Sequence, residues 1–123
     1  MRPLTLLAAI AVASTLAGCV AQPKYNWGNY ERSLYSFYKD PAKADELAAS
    51  LKSVIEESES TTKPVAPGIY AEYGYLLLQQ GKSTEAIGMF EKEKTKWPEA
   101  THLMNSMIQA ASTALKKPTP SKE

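Results

Sequence analysis

From Tyr30 to Ala111 the apolar side chains recur at steps of three and four, with no alternating stretch of useful length. Steps of three and four keep side chains on one face of an α-helix, whereas a strand needs a step of two. The chain is therefore directed to helices, and its Pro and Gly residues divide them. The clearest stripe is Ala44, Leu47, Ala48, Leu51, Val54 and Ile55, opposite Lys43, Asp45, Lys52 and Glu56. Asp40-Pro41 marks its start, because an aspartate caps free amides and proline suits the first helical position. The stripe fades into Glu57-Ser58-Glu59-Ser60-Thr61-Thr62-Lys63-Pro64, which has the composition of a polar loop.

The same spacing places the remaining helices. A first one runs from Gly28 or Asn29 to Lys39 and carries Tyr30, Leu34, Phe37 and Tyr38. Pro67-Gly68 opens a third, with Ile69, Tyr70, Tyr73, Leu76 and Leu77, which Gly81 ends as a left-handed cap. Ser83 is placed to cap a fourth, with Glu85 in its first turn and Ala86, Ile87 and Phe90 on its buried side. Trp97-Pro98 stops it. A fifth segment sets Ala100, Leu103, Met104, Met107, Ile108 and Ala111 on one face. Residues 116–123 hold two prolines among polar side chains and are expected to be disordered. The expectation is an all-α domain over residues 27–115: about five helices, as two stacked helical hairpins and a solvent-facing C-terminal capping helix.

The N-terminus has a different design. Met1 and Arg2 precede an apolar run from Leu4 to Ala13 without an acidic residue, too short to span a bilayer comfortably. Leu16-Ala17-Gly18-Cys19 then closes it on the chain's only cysteine. These four residues resemble the lipobox of bacterial lipoproteins. The resemblance implies a signal peptide over residues 1–18, cleavage before Cys19, a thioether-linked diacylglycerol on its sulfur and acylation of the new amine. Val20 stands where an aspartate is associated with inner-membrane retention. That implies the periplasmic face of the outer membrane, with a Gram-positive plasma membrane the alternative. Residues 19–26 make a short lipidated tether, with about seven residues between Cys19 and Trp27 reaching at most roughly 25 Å.

The chain beyond the leader is long enough for one small domain. With Cys19 acylated no thiol remains for a disulfide or a metal, so packing alone must hold the fold. The 14 basic side chains include Arg2 of the leader, and the others balance the 13 acidic ones. Such a balance argues against nucleic acid, which needs a basic surplus. It also offers no polybasic patch for anionic lipid, so membrane attachment rests on the acyl chains.

Tyr70-x2-Tyr73-Gly74-x2-Leu77, followed by Ala86-x3-Phe90 and Pro98, resembles the tetratricopeptide repeat. In that pattern two helices cross closely at the small residues, large side chains fill the wedge around the crossing, and proline breaks the second helix. Glu93 departs from it, since a small residue is usual three positions after the phenylalanine. One repeat length earlier stand Ser36, Asp40 and Lys52, none of which fits, so the first hairpin is divergent or not a true repeat. About three repeats are usually needed to bury a continuous core, and a stack this short tends to leave a groove or an open end for a partner.

Six aromatic residues, Tyr25, Trp27, Tyr30, Tyr35, Phe37 and Tyr38, crowd the stretch beside the tether. Tyr25, Trp27, Tyr30 and Tyr35 are candidates for contact with a partner or the bilayer, with Tyr25, Trp27 and Tyr35 the most exposed. The other reading is that Leu34, Phe37 and Tyr38 are core and only the flanking aromatic residues are exposed. His102 has only Glu99 nearby in sequence and reads as a surface histidine. Glu56, Glu57 and Glu59 could suggest paired carboxylates for glycan cleavage, but a solvated loop is the better reading. Met104 and Met107 read as core filler. With no phosphate loop, zinc spacing or nucleophile elbow, no catalytic residue, metal site or cofactor is expected.

The runs Tyr25-Asn26-Trp27-Gly28-Asn29-Tyr30, Leu34-Tyr35 and Pro67-Gly68-Ile69-Tyr70-Ala71-Glu72-Tyr73-Gly74-Tyr75 are similar to an uncharacterised family of small proteobacterial outer-membrane lipoproteins. The likeness covers roughly Tyr25 to Ala111. Such families often lie in envelope loci that also encode a lipoprotein related to the curli secretion channel. The resemblance thus implies an accessory, non-enzymatic role in an envelope lipoprotein complex. The alternative is a regulator of a peptidoglycan synthase or hydrolase.

Overall fold

The structure, a computed structural model, describes residues 22–117. Residues 1–21, on which the expected signal peptide and Cys19 fall, and residues 118–123, most of the expected disordered tail, lie outside the described residues. Five α-helices follow one another: α1 (Tyr30–Lys39), α2 (Ala44–Glu59), α3 (Ile69–Gln79), α4 (Ser83–Lys96) and α5 (Thr101–Lys116). Short 3-10 turns, Pro41–Lys43 and Pro98–Ala100, lead into α2 and α5. No strand occurs among the described residues. Each helix packs on its neighbours in chain order, most extensively α3 on α4 and α4 on α5. The domain is therefore all-α, as the spacing predicts: two hairpins, α1–α2 and α3–α4, with α5 on the open side of α4.

Punctuation residues set most boundaries. Asp40 Oδ1 accepts from the Ala42 amide at 3.1 Å, so the predicted cap serves the 3-10 turn through Pro41. Gly81 has φ +77°, the Gly81 amide donates to the Leu78 carbonyl at 3.0 Å, and the Lys82 amide donates to Leu77 at 2.9 Å. That pair of bonds satisfies the last carbonyls of α3 in a Schellman arrangement, which requires a left-handed residue. Ser83 departs from its expected part: it is the first residue of α4, buried, with no capping bond from the preceding Lys82 side chain. Gly81 and Lys82 are consumed in closing α3, so α4 begins at once and Ser83 turns inward. The second helix also runs further than its composition suggests, to Glu59.

Two apolar clusters form the core. The first gathers Leu47, Leu51, Val54 and Ile55 of α2 with Val65, Ala66, Ile69 and Leu76, and α1 contributes Leu34 and Phe37 as half-buried flanks. The second joins Leu77, Ala86, Phe90, Met104 and Ala111, and Tyr73 and Met89 touch both. Phe90 is fully buried, which contributes roughly 1.5–3 kcal/mol relative to leaving it in water. A Cβ on Gly74 would fall 2.7 Å from Phe90 Cε1 and 3.1 Å from Met89 Cβ, so α3 and α4 approach closely because Gly74 has no side chain.

Two residues assigned to buried stripes lie outside them. Tyr38 is 82% exposed and Leu103 is 60% exposed. Each sits one residue from a stripe member, Phe37 or Met104, and one residue turns the helix by about 100°. A single neighbouring helix covers α1, and a single one covers α5, so residues at that angle reach water.

Candidate functional site

The aromatic segment before α1 is folded back onto the bundle. Asn26 is its hinge: Nδ2 donates to Glu57 Oε2 of α2 at 2.9 Å, and Oδ1 accepts from the Gly28 amide at 3.1 Å. Gly28 has φ +46°, and a Cβ there would lie 3.1 Å from Val54 Cγ2, so both the turn and the close approach call for glycine. The Tyr25 ring stands edge-on to Trp97 at the end of α4, with centroids 6.4 Å apart, and edge-on to Trp27 at 6.0 Å. Trp27 stacks on Tyr30 at 5.9 Å, and Tyr30 Oη donates to Glu72 Oε2 of α3 at 2.7 Å. Burial, and then the Glu72 carboxylate, push the Tyr30 hydroxyl above the usual tyrosine range.

Tyr25, Trp27 and Tyr30 therefore form a strap that ties α2, α3 and α4 together at one end. Tyr25 and Tyr30 are half-buried, which corrects the expectation that Tyr25 is among the most exposed. Trp27 keeps 40% of its surface in water. Tyr35 is apart from them on the outer side of α1, 64% exposed, with Lys39 Nζ 5.5 Å from its ring centroid. The four aromatic candidates are thus two features, a strap and a separate exposed face shared with Tyr38.

The residues of the repeat-like pattern meet between α3 and α4. Tyr70, Gly74, Leu77, Ala86 and Phe90 are buried, Tyr73 is half-buried, and Pro98 opens the exposed turn after α4. Beside this contact α2 and α4 stand as walls over α3 and enclose a groove of about 340 Å³. Tyr73 and Leu77 are its floor, Ile55 and Met89 its apolar sides, and charged residues its rim. On the α4 wall a Cβ on Gly88 would meet nothing within 4 Å. The groove continues toward the α3–α4 turn past Ala48, Ala49 and Gln80.

Ion pairs occupy much of the rim. Lys52 Nζ is 3.7 Å from Glu56, and Lys92 Nζ is 2.7 Å from Glu59 Oε1, which also accepts from Tyr70 Oη at 2.8 Å. The Lys92 bond holds the Glu59 carboxyl below its ordinary value, while burial, then Glu59, raises the Tyr70 hydroxyl. Glu59 thus belongs to a cross-helix cluster, not to the solvated loop that its neighbours in sequence suggest.

Glu93 matters more than its departure from the repeat pattern indicates. It is 2% exposed, and its Oε1 accepts from the Gly68 amide at 2.6 Å, capping α3 from across the hairpin, while Oε2 has no partner. The signal for it is the spacing Ala86, Phe90, Glu93, which puts a carboxylate on a buried face where only a bonded one is tolerated. His102 lies on the exposed side of α5, Met104 is buried and Met107 half-buried. Among the described residues no three His, Cys, Asp or Glu side chains are grouped to hold a metal ion, and no helix is long and apolar enough to cross a membrane.

No curated protein and no solved structure matches the chain. The profile of a family described only as a domain of unknown function, DUF4810, matches residues 24–107, from the strap to the middle of α5. That span takes in every contact described above except the end of α5, and the chain belongs to the DUF4810 family.

Proposed function

We propose that this protein is a lipoprotein of the outer membrane, moored through acylated Cys19 on the periplasmic face, whose tetratricopeptide-like stack docks another envelope protein. The lipobox-like Leu16-Ala17-Gly18-Cys19 supports the anchor, and the balanced charge of the domain supports a protein partner rather than nucleic acid. The partner that the resemblance suggests is a second envelope lipoprotein related to the curli secretion channel. The role is non-enzymatic.

The observation that carries the docking role is Gly88 on the wall of the α2–α4 groove. Glycine inside a helix costs about 1 kcal/mol relative to alanine. Gly74 offsets that cost by letting Phe90 approach, but among the described residues nothing comes within 4 Å of a Cβ placed on Gly88. A glycine facing empty space over an apolar floor suits a partner backbone that comes close to the helix, with side chains reaching Tyr73 and Leu77.

A photo-crosslinking residue at Glu85, on the rim of the same groove, tests this reading in cells. The expected result is one envelope lipoprotein captured at Glu85, and lost when a second substitution, Gly88→Arg, fills the groove without lowering the melting temperature. Capture of a peptidoglycan synthase or hydrolase instead would favour the regulatory alternative, and no capture at Glu85 would reject the groove. The anchor is tested by Cys19→Ser, which should accumulate as unprocessed, mislocalised precursor.

A further inference from the structure

We infer that the strap end of the bundle rests on phospholipid headgroups, with Trp27 at headgroup depth and the α2–α4 groove rising away from the bilayer. This orientation rests on acylation of Cys19 and adds to it a defined face.

Chain length supplies the first argument. Cys19 precedes Lys24 by five residues, a span of at most roughly 18 Å when extended. From Tyr25 onward the chain is no longer a tether: Asn26 is bonded to Glu57, Tyr25 packs on Trp97, and Gly28 seats against Val54. A free linker would let the bundle tumble above the membrane. Here the anchored segment is fastened at one end of the helices, so that end is held within reach of the headgroups, and the turn at Asp40–Lys43 and the Gln80–Lys82 turn point away.

The chemistry of the strap end agrees with that placement. Trp27 combines an apolar ring with a polar N–H, the combination that favours the bilayer interface. Lys24, Lys63 and Lys96 are at this end and make no ion pair among the described residues, whereas the nearby Glu57 and Glu59 are engaged by Asn26 and Lys92. The α2–α3 connection borders a polar hollow of about 220 Å³ lined by Thr61, Thr62, Lys63 and Lys96, with the Glu59 carboxylate, paired to Lys92, also on its wall. Ser58 also lines it, and its hydroxyl is buried without a partner. Hydroxyls and ammonium groups together suit a phosphate oxygen. Glu31 and Glu99 are exposed at the same end, so the net field is small and the short anchored segment does the orienting.

Full-length acylated protein in phosphatidylethanolamine–phosphatidylglycerol vesicles provides the test. Acylation removes the native thiol, so Thr62→Cys and Gln80→Cys each give a unique site for a nitroxide label, one at either end of the helices. The label at Thr62 should be several-fold less accessible to a water-soluble relaxing agent than the label at Gln80, and the difference should vanish when detergent dissolves the vesicles. Protein that floats with the vesicles but shows equal accessibility at both sites overturns the orientation and leaves the anchor intact. Protein that carries no acyl mass and does not float overturns both.

Discussion

The two hairpins of this domain are held together by different means. In α3–α4 the helices touch because Gly74 lets the Phe90 ring lie against the backbone of α3, and the Glu93 carboxylate closes the start of α3. In α1–α2 the only fully buried residue of α1 is Ser33, whose hydroxyl has no partner, and Leu34 and Phe37 are only half-buried. The first hairpin depends instead on ties from outside it: Asn26 to Glu57, Tyr30 to Glu72 and Gln80 to Asp45. A close crossing confers stability through shape, whereas ties confer it one bond at a time, and each can be removed singly.

Substitutions that distinguish the two modes should differ in size. Phe90→Ala empties the centre of the second hairpin and should cost about 3–5 kcal/mol, a large part of the stability of so small a domain, measured by denaturant unfolding. Gly74→Leu leaves the core chemistry intact and forces the crossing open, so about 1–3 kcal/mol is expected. An unchanged melting temperature in that variant would mean that the α3–α4 contact is not what holds the second hairpin.

The ties should give smaller, pH-dependent effects. Tyr30→Phe removes one hydrogen bond between the strap and α3 and should cost about 1 kcal/mol at neutral pH. Because the folded Tyr30 hydroxyl titrates above its unfolded value, its contribution is complete below about pH 10 and is lost as pH rises further, so Tyr30→Phe should unfold less steeply in alkali than the wild type. Glu59 has the opposite sign: its folded value is lowered, so its contribution is present above the ordinary glutamate range and lost as pH falls through it. Glu59→Gln should therefore flatten the acid side of a melting-temperature profile, and the alkaline side to a smaller extent, because Glu59 also raises the Tyr70 hydroxyl. Tyr38→Ser, on the uncovered face of α1, should change stability by no more than about 0.5 kcal/mol.

The helices and their order were legible because apolar spacing reports which side of a helix is covered, and Asp40-Pro41, Gly81 and Trp97-Pro98 are local stop and start signals. Tyr38 and Leu103 were misplaced for a related reason. Spacing tells that a residue lies near a stripe, but the edge of the stripe depends on how many neighbouring helices reach around it. The groove was foreseeable only as a consequence of a short stack; that Gly88 faces it and Gly74 does not follows from the crossing of α3 and α4. Glu59 and Lys92 are 33 residues apart and carry no mutual signal in sequence, since their pairing exists only once α2 and α4 flank α3.

The amino-acid order by itself determined an all-helical chain of hairpins, with breaks where proline and glycine stand, because backbone geometry and burial act locally and repeat with the helical period. It also set the chain's one cysteine after an apolar N-terminal run. Tertiary structure alone decided that Tyr25, Trp27 and Tyr30 fasten the end of the bundle while Tyr35 stands apart, and that Glu93 serves as a cap. Those outcomes depend on which surfaces meet after the helices pack, and a side chain's neighbours across such a contact are not encoded in its neighbours along the chain.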